Sequence, residues 1–127
     1  MSKHLIFIYG SLRRGCDGGM SMKFPGAKFM GDATVNGSLF DLGQYPGLRT
    51  NASDPVVIGE IFEVDDELLN ELDVFEKSSN YLRKQTEVSI GEEKETCWVY
   101  EPDPEYYSLT ELISNGDWVE YARTKGE

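Results

Sequence analysis

One stretch of this chain carries a clear helical period, and it lies directly behind the strongest strand signal. From Asp65 to Lys77 the residues read DDELLNELDVFEK, and Leu68, Leu69, Leu72 and Phe75 fall on one arc of a helix turning by about 100° per residue. The run before it, Val56 to Val64, reads VVIGEIFEV and is β-branched and aromatic enough for a half-buried strand. Asp65 or Asp66 can cap the helix, with acidic side chains near the positive end of its dipole. The remaining periodic segments are short and strand-like. One convincing helix among about six short strands predicts an α+β fold with a mainly β core, for which a small barrel is one arrangement.

His4 to Tyr9 is a buried first strand by composition, bounded by Gly10. The segment that follows, GSLRRGCDGG, is either a plain connection or a loop whose backbone approaches a ligand. Gly31 to Leu42 suggests strands joined by a turn near Asn36-Gly37, and Tyr45-Pro46-Gly47 marks another turn. Gly59, inside a strand, implies a bulge or a close backbone approach. Tyr81 to Ile90 and Thr96 to Tyr100 form a strand pair turning near Gly91. Short helices are expected at Leu109 to Ser114 and around Trp118 to Arg123, separated by Asn115-Gly116. With 127 residues the length fits a single domain over 1–127.

Charge and cysteines narrow the function classes. A net charge of −11 repels a phosphate backbone, so a nucleic-acid role is not expected. MSKHLIFIYG has too short an apolar run for a signal peptide or a membrane span, which predicts a cytoplasmic protein with no membrane partner and with both thiols reduced. Cys16 and Cys97 are far apart, with no CxxC or Cys-His spacing, so neither a metal site nor a cofactor is expected. His4 is the sole histidine and opens a strand, where its role is structural or exposed. Arg13 and Arg14 either help bind an acidic substrate or, as is more usual for loop arginines, are solvated surface.

Glu76 is the residue that departs from this pattern. On the helical wheel it falls between Leu72 and Leu69, inside the apolar arc that Glu67, Glu71, Asp73 and Lys77 avoid. A carboxylate against apolar neighbours costs several kcal/mol (roughly) unless it is paired, hydrogen-bonded or protonated. Two readings stay open on position alone: a fraying helix-end glutamate swinging to water, or a functional carboxylate. The Gly10-Ser11-Leu12 turn, directly after a buried strand, offers successive amides to an anion. It lacks the Walker lysine and the GxGxxG spacing of nucleotide loops, and no GxSxG elbow surrounds Ser11.

Tyr9-Gly10-Ser11-Leu12-Arg13, the LDVFE block at Leu72 to Glu76, Tyr81-x-Arg83 and Trp98-Val99-Tyr100 together resemble the gamma-glutamylcyclotransferase family, AIG2-like branch. These blocks span most of the chain in the family's order and spacing. The resemblance implies a small, mainly antiparallel or mixed β-barrel with flanking short helices. It also implies release of 5-oxoproline from a small gamma-glutamyl substrate, with Glu76 as the catalytic base and with Tyr9, Gly10, Ser11 and Leu12 lining the substrate pocket. Tyr81 and Tyr100 are either pocket walls or core aromatics, and Tyr45-Pro46-Gly47 either a rim loop or a surface turn. The rival expectation is a noncatalytic module that holds a carboxylate metabolite in the same pocket.

Overall fold

Alternation on the first strand sets the architecture. The computed structural model describes residues 3–10, 12–13, 19–43, 45–51, 53–109, 111–114 and 116–125. Strand β1 (Lys3–Ile8) is buried on both faces over its second half. Phe7, with Tyr9 just beyond the strand, belongs to one core cluster, and Ile6 and Ile8 belong to another. A strand apolar on both sides needs a covered layer on each, and it gets one from a curled sheet and one from a helix.

The sheet closes on itself. β1 runs antiparallel to β4 (Val56–Asp65) from Lys3↔Asp65 to Ile8↔Glu60, and parallel to β6 (Glu93–Pro102) at Ile6↔Trp98. β4 pairs with β2 (Lys28–Asp41), β6 with β5 (Tyr81–Ile90), and β5 returns to β2 at Thr34↔Ser89. The ring β2-β4-β1-β6-β5 is a closed five-stranded mixed barrel, so the α+β expectation with a barrel core is met. Closure removes the edges that five short strands would otherwise expose. The far half of β2 leaves the ring to pair with β3 (Pro46–Thr50) and β7 (Leu112–Ile113). Val35, Val57, Ile61, Val88 and Val99 fill the barrel side of the core.

Helix α2 (Asp66–Lys77) covers the other side, packing Leu68, Leu69 and Leu72 against Ile6, Ile8, Phe62 and Val64. The short α1 (Met20–Lys23) adds Met20 and neighbouring Phe24 to the same cluster, while α3 (Trp118–Lys125) sets Trp118 against the barrel interior. Of the two candidate caps of α2, Asp65 is the one used: its carboxylate accepts from the Leu68 amide at 2.8 Å. Asp65→Ala should therefore lower unfolding free energy by about 1 kcal/mol in denaturant titrations. A change below about 0.3 kcal/mol would mean that tertiary packing alone fixes the helix start.

Three expectations are corrected. Asn36-Gly37 is no turn, because β2 runs through it and Gly37 pairs with Thr50. A Cβ on Gly37 would lie 2.6 Å from the Arg49 carbonyl oxygen, so this glycine serves a close strand approach. The described residues of Leu109 to Ser114 hold no helix: Leu112 is 61% exposed and Ile113 buried, the two-residue alternation of β7 pairing with β2. β6 begins at Glu93, three residues before the expected Thr96, and with β5 forms a hairpin around Gly91 at φ +61°. At Gly59 the closer-approach alternative holds, with an unbroken register and a virtual Cβ 2.5 Å from both the Ile8 carbonyl oxygen and the Phe7 ring.

Candidate functional site

The end of β1 and the last turn of α2 meet at a cavity of about 160 Å³. The chain leaves the barrel at Tyr9, and Tyr9, Gly10 and Leu12 all line the cavity, together with Phe7 and Ile8. From α2 come Phe75 and Glu76, and from the turn after it Ser79. Tyr81 at the start of β5 and Tyr100 on β6 complete the inner lining, both buried. Tyr45, Pro46 and Lys23 also border the cavity, and Tyr45 and Lys23 are exposed, which marks their side as the mouth. Tyr45-Pro46 thus takes the rim alternative, with Pro46 already in β3 and a turn closed by the Leu42 amide donating to the Tyr45 carbonyl at 2.9 Å.

The inner tyrosines are walls whose hydroxyls are already engaged. Tyr9 donates to the Tyr100 carbonyl at 2.6 Å and accepts from the Leu48 amide at 3.3 Å. Tyr81 donates to the Pro46 carbonyl, and Tyr100 donates to Asp73 Oδ1 at 2.7 Å. Burial pushes all three phenols well above their ordinary range, so they stay neutral near pH 7. Glu76 supplies the one carboxyl group among the described residues that line the cavity.

Glu76 is half-buried, and among the described residues its carboxylate has no hydrogen bond or ion pair. Burial pushes its pKa from the usual 4.5 up to about 7, with the Lys23 charge pulling it partly back. Near neutral pH, a carboxyl poised this way can both take and return a proton. The shift also acts on stability. The folded state holds this proton more tightly than the unfolded chain does, so unfolding free energy should fall as pH rises from about 4.5 to about 7. Glu76→Gln removes the ionisation and should gain on the wild type by about 1–2 kcal/mol between about pH 5 and about pH 8, less than the full shift because the group is partly hydrated. Equal pH dependence of the two proteins in chemical unfolding would refute this.

Arg13 ties the end of β1 to β4 and to Asp117. Its amide donates to the Gly10 carbonyl at 3.0 Å, and its side chain, 11% exposed, bridges Asp117 at 2.8 Å and the buried Glu60 at 3.6 Å. The Met20 amide donates to the Leu12 carbonyl at 2.8 Å, which joins the start of α1 to Leu12. The reading of Arg13 as solvated surface is therefore wrong: the buried Glu60 carboxylate on β4 selects a guanidinium partner.

The structure brings Glu76, Tyr9, Gly10 and Leu12 to one cavity, while Ser11 lies outside the described residues, as do Arg14 and Cys16. Lys23 and Phe75 were not singled out as site residues. Phe75 was legible as the last member of the apolar stripe, whereas MSMK carries no pattern that marks Lys23. His4 pairs with Asp66 and is not among the cavity's lining residues. Cys97 is buried in the barrel core. Among the described residues, no three His, Cys, Asp or Glu side chains gather as a metal-ligand set. None of the described helices is long and apolar enough to cross a membrane.

Residues 6–120 match the family described as gamma-glutamyl cyclotransferase, AIG2-like. A Vibrio cholerae protein named "Putative gamma-glutamylcyclotransferase" is 33% identical over 119 residues, covering 93% of this chain and 97% of that protein. Among solved structures, a mouse AIG2-like protein superimposes with a TM-score of 0.71 at 28% identity, covering 87% of this chain and 86% of its own. YkqA from Bacillus subtilis gives a TM-score of 0.79 at 25% identity over 99% of this chain, which spans 44% of that protein's length.

Proposed function

Because the chain belongs to the gamma-glutamyl cyclotransferase, AIG2-like family, we propose that it releases 5-oxoproline from a small gamma-glutamyl amide or amine, with Glu76 as the general acid and base. The observation that carries this reading is the carboxylate of Glu76 in a mostly apolar cavity shared with Tyr9, Gly10 and Leu12, its proton affinity raised to about pH 7.

The chemistry suits such a site. In a gamma-glutamyl compound the α-amino nitrogen lies one five-membered ring closure from the γ-carbonyl carbon, so the nucleophile is tethered and needs only orientation and deprotonation. The amine is largely ammonium at neutral pH and cannot attack in that form. Ionised Glu76 takes one proton, the nitrogen adds to the γ-carbonyl carbon, and the bond to the leaving nitrogen breaks. The ring keeps one N–H, and the leaving nitrogen gains the two protons lost, one returned by Glu76. Loop amides at Gly10 and Leu12 serve the substrate's α-carboxylate or the oxyanion of the tetrahedral intermediate. The engaged tyrosine hydroxyls exclude water and fix the walls.

The test is 5-oxoproline release, followed by mass spectrometry, across a panel of gamma-glutamyl amides, amines and amino acids. Release from at least one member, absent without protein, is expected. If none is turned over while one binds, the protein is a carboxylate-binding module using this cavity, and the enzymatic reading fails.

A further inference from the structure

Lys23 is the one cation among the described residues that line the cavity, in a chain whose net charge is −11. It ends α1 at the exposed side of the cavity, with its Nζ 5.0 Å from the centroid of the Phe75 ring. Phe75 is in turn braced edge-on by Phe24 at 5.6 Å. Among the described residues, no carboxylate lies within ion-pair distance of Nζ. An ammonium seated over an aromatic face is held in position by that contact, and on an exposed residue its other side stays open to a ligand. The charge is thus fixed at the mouth with no ion-paired carboxylate among the described residues, while at longer range it acts on Glu76.

The cavity's depth assigns the two ends of a substrate. The buried part of the lining is Ile8, Tyr9, Leu12, Tyr81 and Tyr100, and the Glu76 charge acts on all three of these tyrosines. A reacting amine that reaches Glu76 places the glutamyl head inward, so whatever hangs on the scissile nitrogen extends toward Lys23 and Tyr45. Resting on the cyclotransferase reading above, we propose that Lys23 is a specificity-determining residue that seats a carboxylate on the leaving group, favouring gamma-glutamyl amino acids over gamma-glutamyl diamines. An amino acid leaving group carries its carboxylate one carbon from the departing nitrogen and meets the ammonium at the rim. A diamine brings a second cation to the same place and is repelled.

Three probes separate the outcomes: gamma-glutamylglycine, gamma-glutamyl methylamide and mono-gamma-glutamyl ethylenediamine, whose leaving groups are anionic, neutral and cationic. The wild type should prefer them in that order by kcat/KM. Lys23→Gln should lower the glycine-to-methylamide ratio by about 2–5-fold, mainly through KM, and added salt should shrink the wild-type preference likewise. Lys23→Glu should invert the order between glycine and diamine. An unchanged ratio in both variants overturns the proposal, and so does an equal loss on all three probes, which would place the effect of Lys23 on Glu76 ionisation, on the glutamyl head or in the scaffold. Both results leave the cyclotransferase reading standing. Absence of 5-oxoproline from every probe with the wild type would remove that reading and this one together.

Discussion

Glu76→Gln is expected to lower kcat for 5-oxoproline release by about 10²–10⁴-fold, the range for loss of a positioned acid-base group. The substitution keeps the size and leaves the apolar neighbours of α2 in place, so the loss should fall on kcat far more than on KM. In the wild type, the rate should climb as pH rises through about 7, where the Glu76 carboxyl ionises and becomes a base. The glutamine variant should lack that limb. Folding failure is separable, since the variant should be at least as stable as the wild type above pH 7, where an ionised Glu76 is desolvated. Residual activity within about threefold of the wild type, measured at saturating substrate, would remove Glu76 from the chemistry.

Such a carboxylate was legible because a helix encodes its faces in sequence. Leu68, Leu69, Leu72 and Phe75 define an arc, and a charge inside that arc is visible before any coordinate is known. The end of β1 was legible only in part: a two-sided apolar strand that stops at a glycine fits both a plain connection and a loop that approaches a ligand. Long-range geometry was less accessible. Barrel closure depends on one meeting of β2 with β5 at Thr34↔Ser89, and no local pattern in either strand specifies it. The Asn36-Gly37 pair carries the strongest local hairpin signal, yet the close passage of β3 at Arg49 overrides it. Lys23 owes its place to Phe75, which is distant in sequence, and Arg13 owes its burial to Glu60 and Asp117. Side chains whose roles depend on distant partners leave little trace in their own neighbourhood.

Gly10→Ala tests whether the loop at the end of β1 is a shaped wall of the site. A methyl at Gly10 would lie 2.8 Å from Pro46 Cγ and 3.2 Å from Cδ, against the roughly 3.5–4.0 Å that carbon atoms prefer. Space, and not a left-handed backbone, is therefore what this glycine supplies. Pro46 cannot yield freely: it pairs with Asp41 across the β2–β3 hairpin, and its carbonyl accepts from the Tyr81 hydroxyl. A displacement of about 0.5–1 Å must be shared between Gly10 and Pro46, and both border the cavity. Misplacement on that scale is expected to cost about 10²-fold in kcat/KM, with a smaller effect on the melting temperature than a core truncation such as Leu72→Ala would have. Combining Gly10→Ala with Pro46→Ala removes both clashing ring carbons, and the double variant should recover at least part of the activity that Gly10→Ala loses. Full activity in Gly10→Ala alone would mean that the wall tolerates the shift. A double variant no better than either single change would place the damage at Gly10's own backbone and not in its contact with Pro46.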